Sequence, residues 1–430
     1  MLAMPSLSIG QETQSATRAA LQDMDALFAS LSQDDWRERE RAREALIEAG
    51  NQILPQLRQF IAQSANPEAR KGAQLALDRI EENTRLGPSK ITLDFDNAPL
   101  PQVFEALGRQ EGFQLRWMDP RLTDAKGYPN ISVHLHSVSY WDALKALKER
   151  GGEIQEDHLP GEMWLRSGSA DPVEPPTIIQ GPFLVRVTNV DWSRHLLTAN
   201  PADVSRKLSV SGEIQAEPKL RLLNTEVSVT AIAFDVAGKA VCTPEPNAGK
   251  PWSVTHGLGR EGFLATLSPA AGVEPKSLTL EGKVRFRVLV QSSPFEVPDP
   301  MTMVKDAIGG TGGFTRQIGG VSTTLGYFRQ DETGDAKLIL SVSRDGRDDA
   351  HWDALCGVLA GSPVKLLAGD GSVIFEDWLS QYPLRDDHVE FQAFVPSRDK
   401  IAVPAKLVWD IPTKYRDFDV PFEFKGVPVP

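Results

Sequence analysis

The spacing of apolar residues changes along this chain, and each change of period marks a change of predicted fold. Over 17–83, apolar residues recur every three or four positions, which is typical of amphipathic helices. Over 90–166, helical spacing and strand alternation follow one another. From 181 onward, short stretches alternate apolar and polar residues, as β-strands do. We therefore expect a multidomain α+β protein with helices first and strands last.

The first region, 17–85, is predicted to be a helical repeat. Asp34 and Asp35 supply an N-cap for one helix, and Gly50 ends that helix. Pro67 stands at the first position of another helix, where its missing N–H costs nothing. The stretch DDWRERERAREALIEAGNQILPQLRQFIAQSANPEARKGAQLALDRI resembles HEAT-like repeats. The resemblance covers fewer than the ~3 repeats that a solenoid usually needs, so a small helical cap is the alternative.

The second region, 90–166, is predicted to be a small β-α-β-β-α-β domain in which one sheet is covered by two helices. The segment ITLDFDNAPLPQVFEALGRQEGFQLRW, followed by ISVHLHSVSYWDALKALKERGG, resembles the short domain at the N-terminus of secretins and TonB-dependent receptors. The resemblance implies an envelope setting and an interaction role. It does not imply a pore, because nothing later in the chain resembles the barrel-forming part of those proteins.

The C-terminal half is predicted to form two tandem immunoglobulin-like β-sandwiches, 181–300 and 321–430. KVRFRVLVQSSPFEVPDP in the first half is similar to AKLVWDIPTKYRDFDVPFEF in the second, which favours two related units. A Gly-rich stretch at 308–320 lies between them, and its glycine cluster at 309–313 is predicted to be a flexible loop or an interface hairpin. Residues 167–179, SGSADPVEPPTII, are predicted to be a Pro-rich linker stiff enough to hold the neighbouring modules apart.

The order of these parts resembles that of envelope proteins of planctomycete-type bacteria. This resemblance implies a periplasmic or cell-envelope location after export, and it carries no activity. The first residues, MLAMPSLSIGQETQ, lack the charged and apolar regions of a complete signal peptide. Both a signal removed earlier and a cytosolic protein would fit that observation.

Charge and cysteine content restrict the partners and the kind of stabilisation. The formal net charge of -12 argues against a nucleic-acid partner, which needs clustered Lys and Arg. No apolar run approaches the ~18–20 residues of a transmembrane helix, so we expect no membrane-spanning segment. Cys242 and Cys356 match no zinc or redox spacing. Because we assign them to different sandwiches, we predict that they are not bonded to each other.

His134 and His136 are candidate site residues because they lie two apart on a predicted strand and so share one face. Val133 and Leu135 are expected to face the core. A metal-binding H-x-H pair and a solvated face both explain the pattern, and no third ligand is evident. We predict that this strand or its sheet face is the docking surface for a partner protein.

Acidic loops could bind calcium between sandwich strands, although Asp is also common in turns for conformational reasons. They lie at Asp331, Glu332 and Asp335, at Asp345, Asp348 and Asp349, and at Asp386 and Asp387. Tryptophans near strand ends could stack on a glycan. These are Trp192, Trp252, Trp352 and Trp378, whereas Trp117, Trp141 and Trp164 are expected in the core.

No catalytic motif is present in the sequence, so we expect no enzyme and no cofactor. The chain has no G-x-S-x-G elbow and no phosphate-binding glycine motif. The leading hypothesis is a non-catalytic envelope protein that acts as a protein-binding or structural module, with another envelope protein as its partner. The alternatives are a glycan- or wall-binding protein that uses loop tryptophans, and a hydrolase with its active site at a domain junction.

Overall fold

The computed structural model is a strand-rich mixed α/β protein with several sheets, as the apolar spacing predicts. The chain divides into two compact units, Met1–Pro88 and Ser89–Pro430. The structure describes residues 24–117, 128–156, 162–167, 175–196, 204–244, 252–254, 260–269, 274–304, 313–330, 335–344, 352, 355–356, 359, 362–377, 380–381, 388–395 and 403–430.

The first unit is helical. Its elements are α1 (24–30), α2 (Trp36–Ala49), a 3-10 turn (Gly50–Ile53), α3 (Leu54–Gln63) and α4 (Pro67–Leu86). The predicted cap is present, because the Asp35 side chain accepts a hydrogen bond from the Arg37 N–H and Gly50 ends α2 with a positive φ. Apolar residues from all of these helices pack into one core. The HEAT-like relationship itself stays a prediction.

The second unit begins with the short domain. Its elements are β1 (Ile91–Pro99), α5 (Leu100–Glu111), β2 (Gln114–Trp117), β3 (Asn130–Val138), α6 (Tyr140–Lys148), β4 (Gly152–Glu156) and β5 (Glu162–Ser167). The predicted β-α-β-β-α-β order is present, with β4 as an additional strand before the last one. The expected single sheet is wrong: β1 pairs with β3, whereas β2, β5 and β4 form a separate sheet. Bulges between Ile91 and Leu93 and between Phe95 and Ala98 shift the register of β1 against β3 twice.

The remaining elements are nearly all strands. They are β6 (Thr177–Gln180), β7 (Phe183–Leu196), β8 (Val204–Ala216), β9 (Leu222–Phe234), β10 (Cys242–Pro244), β11 (Trp252–Val254), β12 (Arg260–Pro269), β13 (Ser277–Pro298), the short α7 (Pro300–Met303), β14 (Phe314–Ile318), β15 (Val321–Gln330), β16 (Ala336–Arg344), β17 (Val364–Leu367), β18 (Val373–Asp377), β19 (Ser380–Gln381), β20 (His388–Val395) and β21 (Lys406–Pro428). Their three sheets have the orders β10-β12-β8-β7-β6, β11-β9-β13-β21-β17-β18 and β14-β15-β16-β20-β19.

Two long strands, β13 and β21, connect the regions that the sequence divides into two sandwiches. They pair antiparallel from Ser277 opposite Pro428 to Pro298 opposite Lys406. With 22 and 23 residues, each is about 75 Å long at ~3.4 Å per residue. β9 borders the first half of β13, and β17 borders the first residues of β21. The division into 181–300 and 321–430 stays a prediction, but the two regions share this sheet.

Aromatic residues fill the space between the first two sheets. Phe183 of β7 stacks on Phe286 of β13 with ring centroids 4.1 Å apart. Phe263 of β12 packs beside Phe422 of β21. Gly212 leaves room for this arrangement, because a Cβ at that position would lie 1.9 Å from the Phe263 ring.

The predicted linker does not hold the modules apart, and this expectation was wrong. Residues 177–180 form β6, an edge strand paired with β7, while 168–174 lie outside the described residues. Leu184 of β7 is buried within the apolar core of the short domain. The short domain is therefore packed against the first sheet.

The Gly-rich stretch is described only from residue 313 onward. There, Gly319 and Gly320 form the tight turn between β14 and β15, both with positive φ, which glycine adopts at little cost. The glycine cluster for which a flexible loop or an interface hairpin was predicted lies at 309–313, and all of it except Gly313 is outside the described residues. Cys242 and Cys356 are free of disulfide bonds. Within the described residues, no helix combines the length and apolar character needed to cross a bilayer.

Candidate functional site

The outer face of β1 and β3 is the candidate site. Val133 is buried and Leu135 is half-buried on one side of β3, whereas His134 and His136 are exposed on the other. This confirms the orientation predicted from the H-x-H pattern. The face also carries Asp94, which lies directly opposite His134 in the register of the two strands.

His134 is held between two carboxylates of β1. Its Nδ1 lies 2.6 Å from Asp94 Oδ1, and its Nε2 lies 3.4 Å from Asp96 Oδ1. An imidazole can donate from both nitrogens only when it is protonated. The hydrogen bond with Asp94 accordingly raises the pKa of His134 above its usual 6.5 and lowers the pKa of the Asp94 carboxyl. The face therefore changes its charge with pH.

The sequence drew attention to this face as a metal or docking site. Within the described residues, no group of three or more His, Cys, Asp and Glu side chains is arranged to hold a metal ion. The predicted calcium loops lie outside the described residues, apart from Asp335, which precedes β16.

A buried polar cluster that the sequence did not indicate joins the short domain to the first sheet. Glu217, directly after β8, is fully buried. Its Oε2 accepts hydrogen bonds from the Ser89 backbone N–H at 2.9 Å and from the Ser89 hydroxyl at 2.7 Å. Lys219 Nζ lies 3.3 Å from the same oxygen. Because Ser89 precedes β1, these bonds fix the start of the short domain.

A second carboxylate, Glu111, belongs to this cluster. It ends α5 and is 1% exposed, and in the described part of the chain its Oε2 has no hydrogen-bond partner. Burial raises the pKa of Glu111, and the negative charge of Glu217 adds to the shift. A hydrolase that works with a pair of carboxylates needs both of them within reach of its substrate. Glu111 and Glu217 are too buried for that.

An open cavity of about 670 Å³ lies on the strand-rich part. It is lined by Ile178, Ser228, Thr230, Glu281, Gly282, Lys283, Pro421, Phe422 and Glu423. Glu281 of β13 and Glu423 of β21 are directly opposite each other, and both are exposed. Lys425 lies 3.0 Å from Glu423. Water reaches both carboxylates, so the cavity is not the deep pocket that the hydrolase alternative requires.

The tryptophans give limited support to a glycan platform. Trp352 is buried and Trp192 is half-buried, while the Trp378 position and the Trp252 side chain lie outside the described part. Among the residues expected in the core, Trp141 is buried and Trp164 is half-buried. The side chain of Trp117 is not described. The most exposed described tryptophan is Trp36 on α2, at 64%.

The sequence indicated the two histidines of this face, but not the two aspartates. His134 and His136 could be predicted as site residues because they alternate with apolar residues in one strand. Asp94 and Asp96 alternate in the same way in the segment LDFDN, and the β1–β3 pairing would have brought them to the histidines. No known protein family, curated protein or solved structure matches this chain, so these sites rest on its own residues.

Proposed function

We propose that this chain is a non-catalytic protein of the cell envelope that binds a basic segment of another protein on the outer face of β1 and β3. The resemblance of the short domain to those of secretins and TonB-dependent receptors supports the envelope setting and the interaction role. The observation that carries the proposal is the exposed face itself, where Asp94 and Asp96 stand around His134.

The face, rather than an edge of the small sheet, is the docking surface. The Gln110 side chain bonds both the N–H and the C=O of Thr92, at 3.1 and 3.0 Å, as a neighbouring strand would. Arg150 donates to the Ser132 carbonyl at 3.2 Å. These side chains occupy edge positions of β1 and β3, which disfavours the addition of a partner strand there.

A cationic partner fits the charges of this face. Asp96 is 89% exposed and its contact with His134 is long, so a Lys or Arg of a partner can replace the imidazole. When His134 is protonated it already neutralises part of this acidic surface. Binding should therefore strengthen as the pH rises through the pKa of His134.

The rest of the second unit gives this face a fixed orientation. The short domain packs on β7 through Leu184 and is tied to Glu217 by Ser89. The paired strands β13 and β21 then extend the strand-rich part as one continuous sheet. A protein of this kind presents a docking face on a rigid support, which is a structural role that needs no catalytic group.

The proposal is tested by photo-crosslinking in the native host. A benzophenone amino acid is placed at His136 on the docking face, or at Leu264 on β12 as an exposed control. We expect one defined envelope protein to crosslink at His136 and not at Leu264. The same crosslink from both positions, or none from either, would argue against docking here.

Charge reversal supplies the matched comparison. Asp94→Lys with Asp96→Lys should abolish the crosslink, whereas Glu105→Lys, on an exposed position of α5, should leave it intact. Exposed substitutions usually change stability by only about half a kcal/mol, so the fold should survive. Deleting the short domain is unsuitable as a control, because it would expose Leu184 and leave Glu217 without its partners. Fractionation with a C-terminal epitope tests the location, and recovery wholly in the cytosol would overturn the envelope assignment.

A further inference from the structure

A second exposed surface lies on the outer face of the sheet β14-β15-β16-β20-β19. Arg329 of β15, Lys337 of β16 and Phe394 of β20 are directly opposite one another in register, so they form one row across three strands. All three side chains are exposed, and the Phe394 ring is 62% exposed. Their neighbours Phe328 and Leu338 are buried in the core on the other side of the sheet.

The two cations in this row are Arg329 and Lys337. Within the described residues, neither forms an ion pair or a side-chain hydrogen bond, although the chain carries a net charge of -12. Comparable cations on the adjacent six-stranded sheet are paired, as Lys283 is with Asp419 and Arg287 with Asp417. Two unpaired cations beside an exposed aromatic ring form a surface that complements an anion with an apolar face.

The rest of this face is polar and uncharged over most of its area. The next row contains Tyr327, Ile339 and Gln392, all half-buried. Beyond it, two rows carry mainly hydroxyl and amide groups, from Thr315, Thr324, Ser341, Gln317, Ser322 and Ser343. Glu390 and His388 lie at the β20 end of those rows. The positive end of the face is therefore the row that contains Phe394.

Hydroxyl side chains both donate and accept hydrogen bonds, which suits the hydroxyl groups of a sugar chain. An exposed aromatic ring packs against the apolar face of a sugar ring. Lys337, at the centre of the row, lies on β16, which is paired with β15 on one side and β20 on the other, so a ligand reaches it from the face of the sheet.

We propose that this face is a binding site for an acidic glycan. A uronate carboxylate pairs with Arg329 and Lys337, its sugar ring stacks on Phe394, and the following sugars lie along the hydroxyl rows. The site is independent of the docking face on the short domain, so either can fail without affecting the other. It also differs from a platform of loop tryptophans, because it contains none.

Calorimetric titration of the full chain tests the proposal with three probes. They are a tetragalacturonate, the same tetrasaccharide with its carboxyl groups reduced to alcohols, and a thymidine octanucleotide. We expect the tetragalacturonate to bind with a Kd of about 0.1–1 mM, and the reduced sugar to bind at least about tenfold more weakly. Added salt should weaken the acidic probe, because the contact involves exposed charges.

Variants assign the binding to this face. Arg329→Gln with Lys337→Gln, and separately Phe394→Ala, should each weaken the tetragalacturonate about tenfold or more. Arg316→Gln is the matched control, since this exposed cation of β14 lies over the Phe314 ring instead. Circular dichroism confirms that each variant is folded. No binding of the acidic sugar, equal binding of the reduced sugar, or an unchanged Kd in the Phe394 variant would overturn the proposal. Octanucleotide binding that Phe394→Ala abolishes would replace the glycan with single-stranded nucleic acid.

Discussion

The two buried carboxylates at the junction of the short domain and the first sheet should respond to neutralisation in opposite directions. Glu217 accepts two hydrogen bonds from Ser89 and faces Lys219, so its charge is compensated. Glu111 is equally buried, but one of its oxygens has no hydrogen-bond partner within the described residues. We therefore expect Glu217→Gln to destabilise the second unit and Glu111→Gln to stabilise it.

The magnitudes follow from the contacts. A hydrogen bond to a charged acceptor contributes about 1.5–3 kcal/mol, against about 0.5–1.5 kcal/mol for a neutral one. Converting both Ser89 bonds to neutral bonds should therefore cost about 2 kcal/mol, and the weaker attraction to Lys219 adds to that cost. At Glu111 the change removes an ionised group that burial penalises, but the new amide still lacks a full set of partners. The expected gain is about 1 kcal/mol.

The pH dependence separates the two residues further. Burial raises the pKa of Glu111 above its ordinary 4.5, so the folded chain binds a proton more tightly there than the unfolded chain does. Below about pH 4.5, Glu111 is protonated in both states, and its burial carries no charge penalty. As the pH rises from there toward the raised pKa, the unfolded chain loses this proton first, and the free energy of unfolding falls. In the Glu111→Gln variant, this fall of the free energy of unfolding with rising pH should disappear. In Glu217→Gln the shift at Glu111 should shrink, because a like charge has been removed.

Urea unfolding followed by tryptophan fluorescence measures these effects. Of the nine tryptophans, Trp36 alone precedes Ser89, so the signal reports mainly on the second unit. Midpoints and slopes are compared at about pH 4.5 and about pH 7.5 for the wild type, both single variants and the double variant. The double variant should show coupling, because the two carboxylates interact. Stabilisation by Glu217→Gln, or destabilisation by Glu111→Gln at the higher pH, would refute this account of the cluster.

Two further predictions concern the docking face and the first sandwich. Asp94→Asn should lower the pKa of His134 toward its ordinary value, because the hydrogen bond with Asp94 is the largest cause of the shift; an unchanged midpoint in an NMR titration of the ring would contradict the assignment. Gly212→Ala should destabilise the fold by about 1–3 kcal/mol through overpacking, because its Cβ would overlap the Phe263 ring. Gly262→Ala is the control, since the nearest atom to its new Cβ would be 3.7 Å away. Equal urea midpoints for the two alanine variants would show that the crowding at Gly212 costs little free energy.

Local patterns in the sequence were sufficient for the fold class and for most elements. The helical caps at Asp35 and Gly50 and the alternation in β3 each depend on neighbouring residues, so they could be predicted without knowledge of the rest of the chain. The same holds for the outward direction of His134 and His136. Strand β4 was missed because its five residues follow the helix-ending glycine directly and show little apolar alternation.

Pairing between distant segments could not be predicted in the same way. Asp94 and His134 face each other only because β1 pairs with β3 across the intervening helix. Ser89, Glu111 and Glu217 meet because the short domain packs on β7 and β8, and no local pattern marks a glutamate that will be buried. The linker was misjudged for the same reason. Its prolines indicate stiffness, but they do not report that Leu184, just beyond it, completes the core of the short domain.

The similarity between the segments that form β13 and β21 has a structural explanation in their pairing. Each must supply inward apolar residues to two successive cores, so each carries two alternating stretches joined by a polar interruption. The same pairing shows why the region 181–300 is incomplete by itself. Phe418 and Phe422 of β21 pack against Phe183 and Phe263, so residues near the C-terminus close the first core. Contacts this distant in sequence form late and at a high entropic cost in folding. The two strand-rich regions are thus coupled through shared strands rather than joined by a hinge, which is the property that a rigid support for a docking face requires.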